Sequence, residues 1–336
     1  MPVLEVENLK EIYESVKKRV VGREREIRNI LAALVAGRHI LLEGPPGTSK
    51  STLLQAIAEE IGVPFIMVEG NADLTASKLL GYFDPAQAVA EGYKPEHFVE
   101  GPLLEAMRKG GILYIDEFNR IPPDALNVLM RAIEEGEMVV PRVGPVRSRN
   151  GFRLVSAQNP YDDVGTTKVS MGIYDRLCKL RMNYQSREEE KLIVRLRTGC
   201  KDERLAELAV NIVRRTRSHP EIRQGASVRG AIHFVEIFQQ LARLEGENAE
   251  DSEVYLSLVL DAAYMALSGK LWLVETSQKT PEQVIRQIVH ESLGMVSGEE
   301  EIRVRPFRMT EASREVREEL RRFFRGSSGR GDPPRG

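Results

Sequence analysis

Apolar residues in the first half of the chain follow two alternating patterns. In segments such as Ile27, Ile30, Leu31 and Leu34 they recur at the spacing of one helix face. Between such segments, short apolar runs predict strands at residues 39–42, 65–68, 111–115 and 152–157, with a weaker fifth at 179–182. Strands separated by helices are typical of a parallel sheet covered on both faces. The pattern therefore predicts an α/β domain over residues 1–185.

From Ser186 onward the apolar pattern becomes almost wholly helical. Ser186 and Glu189 have the spacing of a capping box, in which a serine begins a helix and a glutamate closes its first turn. We therefore expect a small α-helical domain over residues 186–305. A mixed Glu and Arg segment predicts a further helix over residues 306–325, and the Gly-, Ser-, Pro- and Arg-rich residues 326–336 predict a disordered tail.

Composition narrows the classes of protein that fit this pattern. The chain has 336 residues, of which 42% are hydrophobic, and a formal net charge of −2. This hydrophobic content excludes a disordered chain, and no apolar stretch approaches the roughly 20 residues of a membrane span. The first residues lack the apolar core of a signal peptide, and the two cysteines, Cys178 and Cys200, fit no metal-binding spacing. We therefore expect a cytoplasmic protein of two domains without a membrane span.

The most informative segment follows the first predicted strand and reads GPPGTSKS. A glycine-rich turn between strand and helix points backbone N–H groups inward, and the helix amino terminus adds positive potential, so the segment favours phosphate binding. Lys50 would reach the β- and γ-phosphates, and the Ser51 hydroxyl would ligate Mg²⁺. Ser49 departs from the strict pattern, which has glycine there, and the alternative is a Gly- and Pro-rich loop that merely precedes a lysine. The candidate phosphate-binding residues are Gly44, Pro45, Pro46, Gly47, Thr48, Ser49, Lys50 and Ser51.

A pair of acids, Asp116 and Glu117, follows the third predicted strand. Carboxylates at the end of a buried strand are costly unless they hold a metal or a proton. With a phosphate loop on a neighbouring strand, we expect Asp116 to hold Mg²⁺ and Glu117 to activate the attacking water. The alternative is an exposed acidic pair in a turn. Arg120, three residues further on, is a weaker candidate for a role at a subunit contact.

Three further polar residues lie where an ATPase needs them. Asn159, after the fourth predicted strand, could hydrogen-bond the attacking water, although an ordinary turn asparagine before Pro160 is the alternative. Arg176, before the fifth strand, could reach a γ-phosphate bound by a neighbouring subunit, and its alternative is a surface pair with Asp175. Arg229 begins a predicted helix, where the helix dipole disfavours a cation, which favours a role towards a phosphate.

Together these segments resemble the MoxR family of AAA+ ATPases. The resemblance covers roughly residues 20–244 and is carried, in this order, by GPPGTSKS, LYIDEFNRIPPDALNVLMRAIEEGEM, SAQNPYDDVGT, YDRL and GASVRG. It implies a P-loop AAA+ αβα sandwich with a parallel five-stranded sheet, followed by a small α-helical lid domain. It further implies an insertion at about residues 80–101 and a hairpin at about residues 139–149, before the fourth predicted strand.

The resemblance also implies a role for each candidate residue. The implied roles are Walker A for residues 44–51, Walker B for Asp116 and Glu117, sensor 1 for Asn159, arginine finger for Arg176, sensor 2 for Arg229, and contact with the adenine base for Val21 and Gly22. ATP and Mg²⁺ are the implied substrate and cofactor. The arginine finger would come from the next subunit of a homo-oligomeric ring, with a hexamer expected.

Three functions are compatible with these motifs. The resemblance implies a chaperone-like ATPase that remodels or matures a client protein or metalloenzyme complex, with a partner that carries a von Willebrand factor A domain. The first alternative is an AAA+ nucleic-acid motor or DNA-processing ATPase, which the near-neutral charge disfavours without excluding nucleic acid. The second is a nucleotide sensor that scarcely hydrolyses ATP, which the intact Asp116–Glu117 pair disfavours.

Overall fold

The computed structural model describes residues 8–160, 171–246, 249 and 251–294. The chain divides into two compact units, Met1–Tyr184 and Gln185–Gly336. The helix predicted over residues 306–325 and the tail predicted over residues 326–336 lie outside the described residues. Among the helices that are described, none is long and apolar enough to cross a membrane.

The first unit contains a parallel sheet with helices on both faces. Its strands are β1 (His39–Glu43), β2 (Phe65–Glu69), β3 (Gly81–Phe83), β4 (Phe98–Glu100), β5 (Ile112–Asp116), β6 (Glu137–Val140), β7 (Gly144–Arg147), β8 (Arg153–Gln158) and β9 (Leu177–Arg181). Its helices are α1 (Leu9–Arg19), α2 (Glu24–Val35), α3 (Lys50–Ile61), α4 (Ala76–Leu80), α5 (Pro85–Glu91), α6 (Pro102–Lys109), α7 (Pro123–Glu135) and α8 (Met171–Tyr174). Five strands form the parallel sheet, in the order β2-β5-β8-β1-β9. The predicted αβα fold is therefore confirmed.

The period of two along a strand explains why both faces of the sheet are covered. On β1, Ile40 and Leu42 belong to a buried cluster that includes apolar residues of α1, α2 and α3. Leu41, between them, belongs to the opposite cluster, which includes residues of α6 and α7. On β5, Tyr114 and Leu113 divide between the two clusters in the same way. Each central strand thus reads as a continuous apolar run because each of its two sides is buried.

Four strands of the parallel sheet end one residue beyond the apolar runs that predict them, whereas β9 begins and ends earlier than the run predicted at residues 179–182. β1 ends at Glu43 and β8 ends at Gln158, and these two polar residues pair with each other in the parallel register. Likewise Glu69 at the end of β2 pairs with Asp116 at the end of β5. The backbone ladder continues through these polar residues because it uses only N–H and C=O groups. The hydrophobic pattern therefore stops one residue before the hydrogen bonds do.

Two hairpins project from this first unit. Residues 80–101 contain β3, α5 and β4, and the side chain of Phe83 packs edge to face against Tyr93 and Phe98, with ring centroids 5.3 and 5.1 Å apart. The second hairpin pairs β6 with β7 in antiparallel register. Arg142, in its turn, lies 4.0 Å above the ring of Tyr93. This cation–π contact joins the two hairpins.

The second unit is mainly helical. Ser186 accepts a hydrogen bond from the Glu189 N–H and the Glu189 side chain returns to the Ser186 N–H, so the predicted capping box is confirmed. One short antiparallel pair, β10 with β11, accompanies the helices; the helical pattern does not predict it because the strands have only three and two residues. The described elements are α9 (Arg187–Thr198), α10 (Glu203–Thr216), β10 (Ile222–Gln224), α11 (Val228–Glu245), α12 (Ser252–Leu267), β11 (Trp272–Leu273) and α13 (Pro281–Ser292).

Two buried polar side chains lie at the amino end of the sheet. His39 Nδ1 accepts a hydrogen bond of 2.9 Å from the Leu154 N–H. Arg153, only 1% exposed, donates from Nε to the Leu34 carbonyl and from Nη1 to the Phe152 carbonyl. Burial, together with the charges of Arg153 and Arg38, lowers the pKa of His39 from 6.5 to about 4. The imidazole is therefore neutral in the folded protein at neutral pH.

This burial predicts a loss of stability in mild acid. Between pH 6.5 and pH 4 the unfolded chain protonates His39 and the folded protein does not, so the free energy of unfolding falls as pH falls, by up to about 3 kcal/mol at pH 4. In His39→Gln this contribution should vanish, because glutamine can accept the same hydrogen bond without titrating. Urea denaturation at pH 7 and pH 4.5 measures the difference, with His290→Gln as the control. An unchanged pH slope in His39→Gln would contradict the assignment.

Gly70, directly after β2, contacts the backbone at the end of β5, at the carboxyl end of the sheet. Its N–H donates to the Asp116 carbonyl at 2.8 Å. A Cβ at this position would lie 2.5 Å from the Glu117 carbonyl oxygen and 2.8 Å from that of Asp116. Both atoms belong to the backbone, so no side-chain rotation can relieve the overlap. Only glycine lets β2 approach the end of β5 in this way.

We therefore expect Gly70→Ala to destabilise the protein by roughly 1–3 kcal/mol, the usual cost of an overpacked site. Gly269→Ala is the matched control, because a Cβ there meets nothing within 4 Å. Thermal unfolding of both variants tests the prediction. Equal midpoints for Gly70→Ala and Gly269→Ala would show that the end of β5 can shift without cost.

Candidate nucleotide site

The order of the strands brings the candidate residues to one edge of the sheet. β5, β8 and β1 are adjacent and parallel, so their carboxyl ends lie side by side. Asp116 ends β5, Asn159 directly follows β8, and residues 44–49 connect β1 to α3. Ligands of open parallel sheets bind in the crevice outside these carboxyl ends. Three separate motifs therefore face the same crevice.

The loop after β1 is held in shape by its own hydrogen bonds. Thr48 is fully buried and donates from Oγ1 to the Pro45 carbonyl at 2.9 Å. Its carbonyl accepts a hydrogen bond of 3.0 Å from Nη2 of Arg23, which also donates to the Asn183 carbonyl at 2.9 Å. Arg23 is 2% exposed. This buried arginine thus fastens the loop to the chain beyond β9.

Arg23 also locates the segment expected to contact the base. Val21 and Gly22 precede it directly, between α1 and α2, and Gly22 has a positive φ of 68°. Because Arg23 donates to the Thr48 carbonyl, Val21 and Gly22 are tied to the part of the loop just before α3. Sequence reasoning overlooked Arg23, although a basic residue directly after this segment was visible.

Two residues of the loop bear on the Walker A pattern, Ser49 through its backbone conformation and Gly44 through the space around it. Ser49 has φ 65° and ψ 26°, in the left-handed region that glycine adopts without strain. Serine therefore occupies the position of the missing glycine with a glycine-like backbone. Gly44 has no room for a side chain, because a Cβ would lie 2.2 Å from the Met182 carbonyl oxygen.

The amino terminus of α3 fits the binding of a phosphate. Ser49 precedes the helix but its side chain does not cap it, and the first turn contains no acidic residue. The first N–H groups of α3 therefore lack the side-chain acceptor that usually satisfies them. An anion at this position would accept those hydrogen bonds and be stabilised by the helix dipole.

Lys50 begins α3 and lies over the loop. Its Nζ donates to the carbonyls of Gly44 at 2.9 Å and Pro45 at 3.1 Å. Burial lowers the pKa of Lys50, and the negative charge of Asp116 opposes this effect. The ammonium group and the carboxylate therefore lie within electrostatic range of each other. Ser51, in the same first turn, is half-buried.

The two acids differ in their surroundings. Asp116 is half-buried, and its Oδ1 accepts a hydrogen bond of 3.0 Å from the Glu117 N–H. Burial and the nearby Asp116 raise the pKa of Tyr114, so this phenol stays protonated. Glu117 has a positive φ of 49°, and its carboxylate forms an ion pair of 2.9 Å with Arg120. This left-handed residue directly follows the end of β5.

The structure adds a polar pair that sequence reasoning missed. Glu43, 5% exposed, accepts a hydrogen bond of 2.9 Å from Gln158 Nε2 and forms an ion pair of 2.7 Å with Lys179. Gln158 directly precedes Asn159, so the pair supports the chain where the expected sensor residue begins. The buried Oε1 of Gln158 has no hydrogen-bond partner among the residues that the structure describes. An acid at the end of an apolar strand was the visible signal for Glu43.

Arg176 lies at the other edge of the sheet. It precedes β9, whose first residue, Leu177, pairs with His39 at the start of β1. Each strand residue advances about 3.3 Å, so Gly44 at the far end of β1 lies roughly 16 Å away along the strand. The Arg176 side chain pairs with Glu134 of α7 and donates from Nη1 to the Gly172 carbonyl at 2.6 Å. Arg176 therefore pairs with Glu134 and not with Asp175, the partner in the surface-pair alternative.

Arg229 belongs to the second unit, in the first turn of α11. Its N–H donates to Ser227 Oγ at 3.3 Å, so Ser227 caps the helix. The pKa of Lys270 is lowered mainly by burial and also by the charge of Arg229. The pKa of His233 is lowered mainly by burial, then by the charge of Lys270, with a smaller contribution from Arg229. This end of α11 therefore carries a group of neighbouring basic side chains.

Comparison with known proteins places this geometry in a family. The AAA domain of the dynein-related subfamily matches residues 39–177, which include β1, β5, β8 and the segment up to β9. The chain is 31% identical over 208 residues to the gas vesicle ATPase GvpN of Haloferax mediterranei, covering 57% of this chain and 60% of GvpN. The RuvB Holliday junction branch migration motor of Thermotoga maritima is similar in structure, with a TM-score of 0.47 and 18% identity, over 76% of this chain and 72% of RuvB.

A further relative covers more of both chains. YeaC of Bacillus subtilis, an uncharacterised protein, is 30% identical over 259 residues, which are 69% of this chain and 78% of YeaC. The AAA domain match contains the loop after β1 and the acids after β5, and the parallel sheet has the αβα arrangement of that domain. The chain therefore belongs to the AAA+ ATPases.

Proposed function

We propose that this protein is a Mg²⁺-dependent ATPase of MoxR type that hydrolyses ATP as a homo-oligomeric ring. The observation that carries the proposal is the meeting of the phosphate loop, Asp116, Glu117 and Asn159 at the carboxyl ends of three adjacent strands. A loop alone would support binding of a phosphate. An acid pair and an amide beside it supply what hydrolysis requires in addition.

The loop and the start of α3 would hold the phosphates. Backbone N–H groups of residues 44–49 and the uncapped first turn of α3 offer donors, and Lys50 offers a positive charge. Its bonds to the Gly44 and Pro45 carbonyls would be exchanged for bonds to phosphate oxygens. Val21 and Gly22, tied to the loop through Arg23, would contact the base.

Ser51 and Asp116 are suitable ligands for Mg²⁺. A hydroxyl and a carboxylate are the hard oxygen donors that this ion prefers, with water and phosphate completing its coordination. When bound, Mg²⁺ neutralises charge that develops on the phosphate oxygens. The coupling between Lys50 and Asp116 supports this assignment, because both groups must face the same phosphates.

Glu117 would act as the general base. It would accept a proton from the attacking water, whose oxygen bonds to the γ-phosphorus as the bond to the β–γ bridging oxygen breaks. ADP and phosphate are the products. The Glu117 carboxylate forms an ion pair with Arg120. Asn159 would hold the water or the γ-phosphate in line.

Arg176 would serve a neighbouring subunit. The roughly 16 Å between its end of the sheet and the phosphate loop exceeds the reach of an arginine side chain, which supports action in trans. Hydrolysis would then require assembly, and a hexamer is the arrangement we expect from the MoxR resemblance. Arg229 would contact the nucleotide phosphates as sensor 2.

The cellular role follows from the same resemblance. We infer chaperone-like remodelling of a client protein or metalloenzyme complex in the cytoplasm, together with a partner that carries a von Willebrand factor A domain. Exposed apolar side chains on the two hairpins, among them Tyr82, Tyr93 and Val139, are compatible with contact to a client protein. The net charge of −2 gives no comparable support to a nucleic-acid substrate.

Glu117→Gln should retain ATP affinity and lose hydrolysis. The amide keeps the size of the side chain but cannot accept the proton, so we expect turnover to fall by about 100-fold or more. Steady-state phosphate release and binding of a fluorescent ATP analogue measure the two effects. Glu105→Gln, on α6, is the control and should behave as the wild type. Wild-type turnover in Glu117→Gln would exclude this residue as the base.

Arg176→Ala should bind ATP normally and be almost inactive, because an arginine finger contributes roughly 10³–10⁵ in turnover. Mixing Arg176→Ala with Glu117→Gln should restore activity. An Arg176→Ala subunit keeps its own base and can receive the arginine of a Glu117→Gln neighbour. Phosphate release from mixtures of varied ratio tests this. Inactivity without any recovery on mixing would mean that Arg176 acts within its own subunit.

A further inference from the structure

The side chain of Arg176 is held on two sides within its own subunit. Oε1 of Glu134 accepts hydrogen bonds from both Nε and Nη2 of the guanidinium group. The Gly172 carbonyl accepts a third bond, of 2.6 Å, from Nη1. Glu134 lies 42 residues away along the chain, in the last turn of α7. The arrangement is therefore a tertiary contact and not a consequence of helix spacing.

These contacts leave part of the guanidinium group available. Arginine has five N–H donors, one on Nε and two on each of Nη1 and Nη2. Within the part of the chain that the structure describes, three donors are engaged by Glu134 and Gly172, which leaves one donor on Nη1 and one on Nη2. Such a pair of donors matches the bidentate geometry with which arginine binds a phosphate. The hold of Glu134 thus fixes the orientation of Arg176 without using up its donors.

The position of Glu134 in α7 is unfavourable for the helix itself. The carboxyl end of a helix carries partial negative charge and favours basic residues. α7 has none in its last turn, which instead contains Glu134 and Glu135. The two glutamates differ in their contacts: among the described residues, Glu135 forms an ion pair with Arg131 of its own helix alone, at 3.6 Å. The benefit that offsets the helix dipole at Glu134 therefore lies outside the helix, at Arg176.

The contact is too exposed to be explained by stability alone. The side chains of Arg176 and Glu134 are 34% and 39% exposed. Ion pairs at such exposure contribute little to the free energy of folding. Restricting a long, flexible side chain has a larger consequence where that side chain must meet a phosphate in a defined geometry.

We propose that Glu134 is a positioning residue for Arg176, and that it holds the guanidinium group oriented towards the nucleotide of the neighbouring subunit before the ring assembles. The inference rests on the proposed function, because it takes Arg176 to be the arginine finger. Glu134 itself touches neither nucleotide nor water. It acts through Arg176 alone.

The test compares Glu134→Ala and Glu134→Gln with Glu135→Gln, the control on the same helix. We expect Glu134→Ala to lower kcat by roughly 10–100-fold, as misplacement of a reacting group does, with KM for ATP and affinity for a fluorescent ATP analogue within about twofold of wild type. Glu134→Gln should retain more activity, because its amide oxygen can still accept from Arg176. Glu135→Gln should be unchanged.

Mixing separates positioning from a merely structural role. Glu134→Ala subunits keep their base and can receive a correctly held Arg176 from Glu117→Gln neighbours, so the mixture should recover activity. Unchanged or increased turnover in Glu134→Ala would overturn the inference, as would a loss that mixing does not restore. Arg176→Ala measured in parallel distinguishes the two levels: full activity there refutes the arginine finger itself, whereas an inactive Arg176→Ala with an active Glu134→Ala refutes only the role of Glu134.

Discussion

The parallel hydrogen-bond ladders joining β5, β8 and β1 determine where each polar group of the candidate nucleotide site can lie. In a parallel pair both strands end at the same edge, so a residue that follows one strand is carried beside the residue that follows the next. The registers Glu43 with Gln158 and Ile115 with Ser156 fix these ends to within one residue. The phosphate loop, the acid pair and Asn159 are far apart along the chain, and only this register brings them together.

The same sheet has different chemistry at its two edges. At the amino edge, His39 and Arg153 are buried, hydrogen-bonded to backbone carbonyl and amide groups, and serve packing. At the carboxyl edge, the buried Glu43 and Gln158 are hydrogen-bonded to each other. The candidate site residues Lys50 and Asp116 lie at the same edge. Buried polar groups therefore do not by themselves mark a site. What distinguishes the carboxyl edge is the first turn of α3, which has neither a side-chain cap nor an acidic residue.

Charged groups proposed to act in hydrolysis are paired within the subunit. Glu117 pairs with Arg120, and Arg176 pairs with Glu134. The helix α7 begins three residues after Arg120 and ends at the residue after Glu134. A single helix therefore connects the region of the Glu117–Arg120 pair with Glu134, the partner of Arg176. Such pairing restrains the orientation of these side chains.

The sequence by itself predicted the αβα fold and the five strands of its parallel sheet, which the structure confirms, and it identified the candidate phosphate loop and acid pair. The strands can be predicted because a strand buried on both faces consists of consecutive apolar residues. The loop can be predicted because its backbone geometry depends on residues that are neighbours in the sequence. The glycine-like conformation of Ser49 illustrates the limit of that reading: the motif names the residue, and only the fold shows that its φ is 65°.

The tertiary structure alone decided the long-range contacts. Nothing in the sequence near Arg176 indicates Glu134, 42 residues away, and nothing near Thr48 indicates that Arg23 binds its carbonyl. Likewise, the strands continue through Glu43, Asp116 and Gln158 because the hydrogen bonds between strands join backbone groups and do not depend on side-chain polarity. Hydrophobic periodicity records which side of an element is buried, not which element buries it. Partners across the sheet and between helices therefore become known only when the chain is folded.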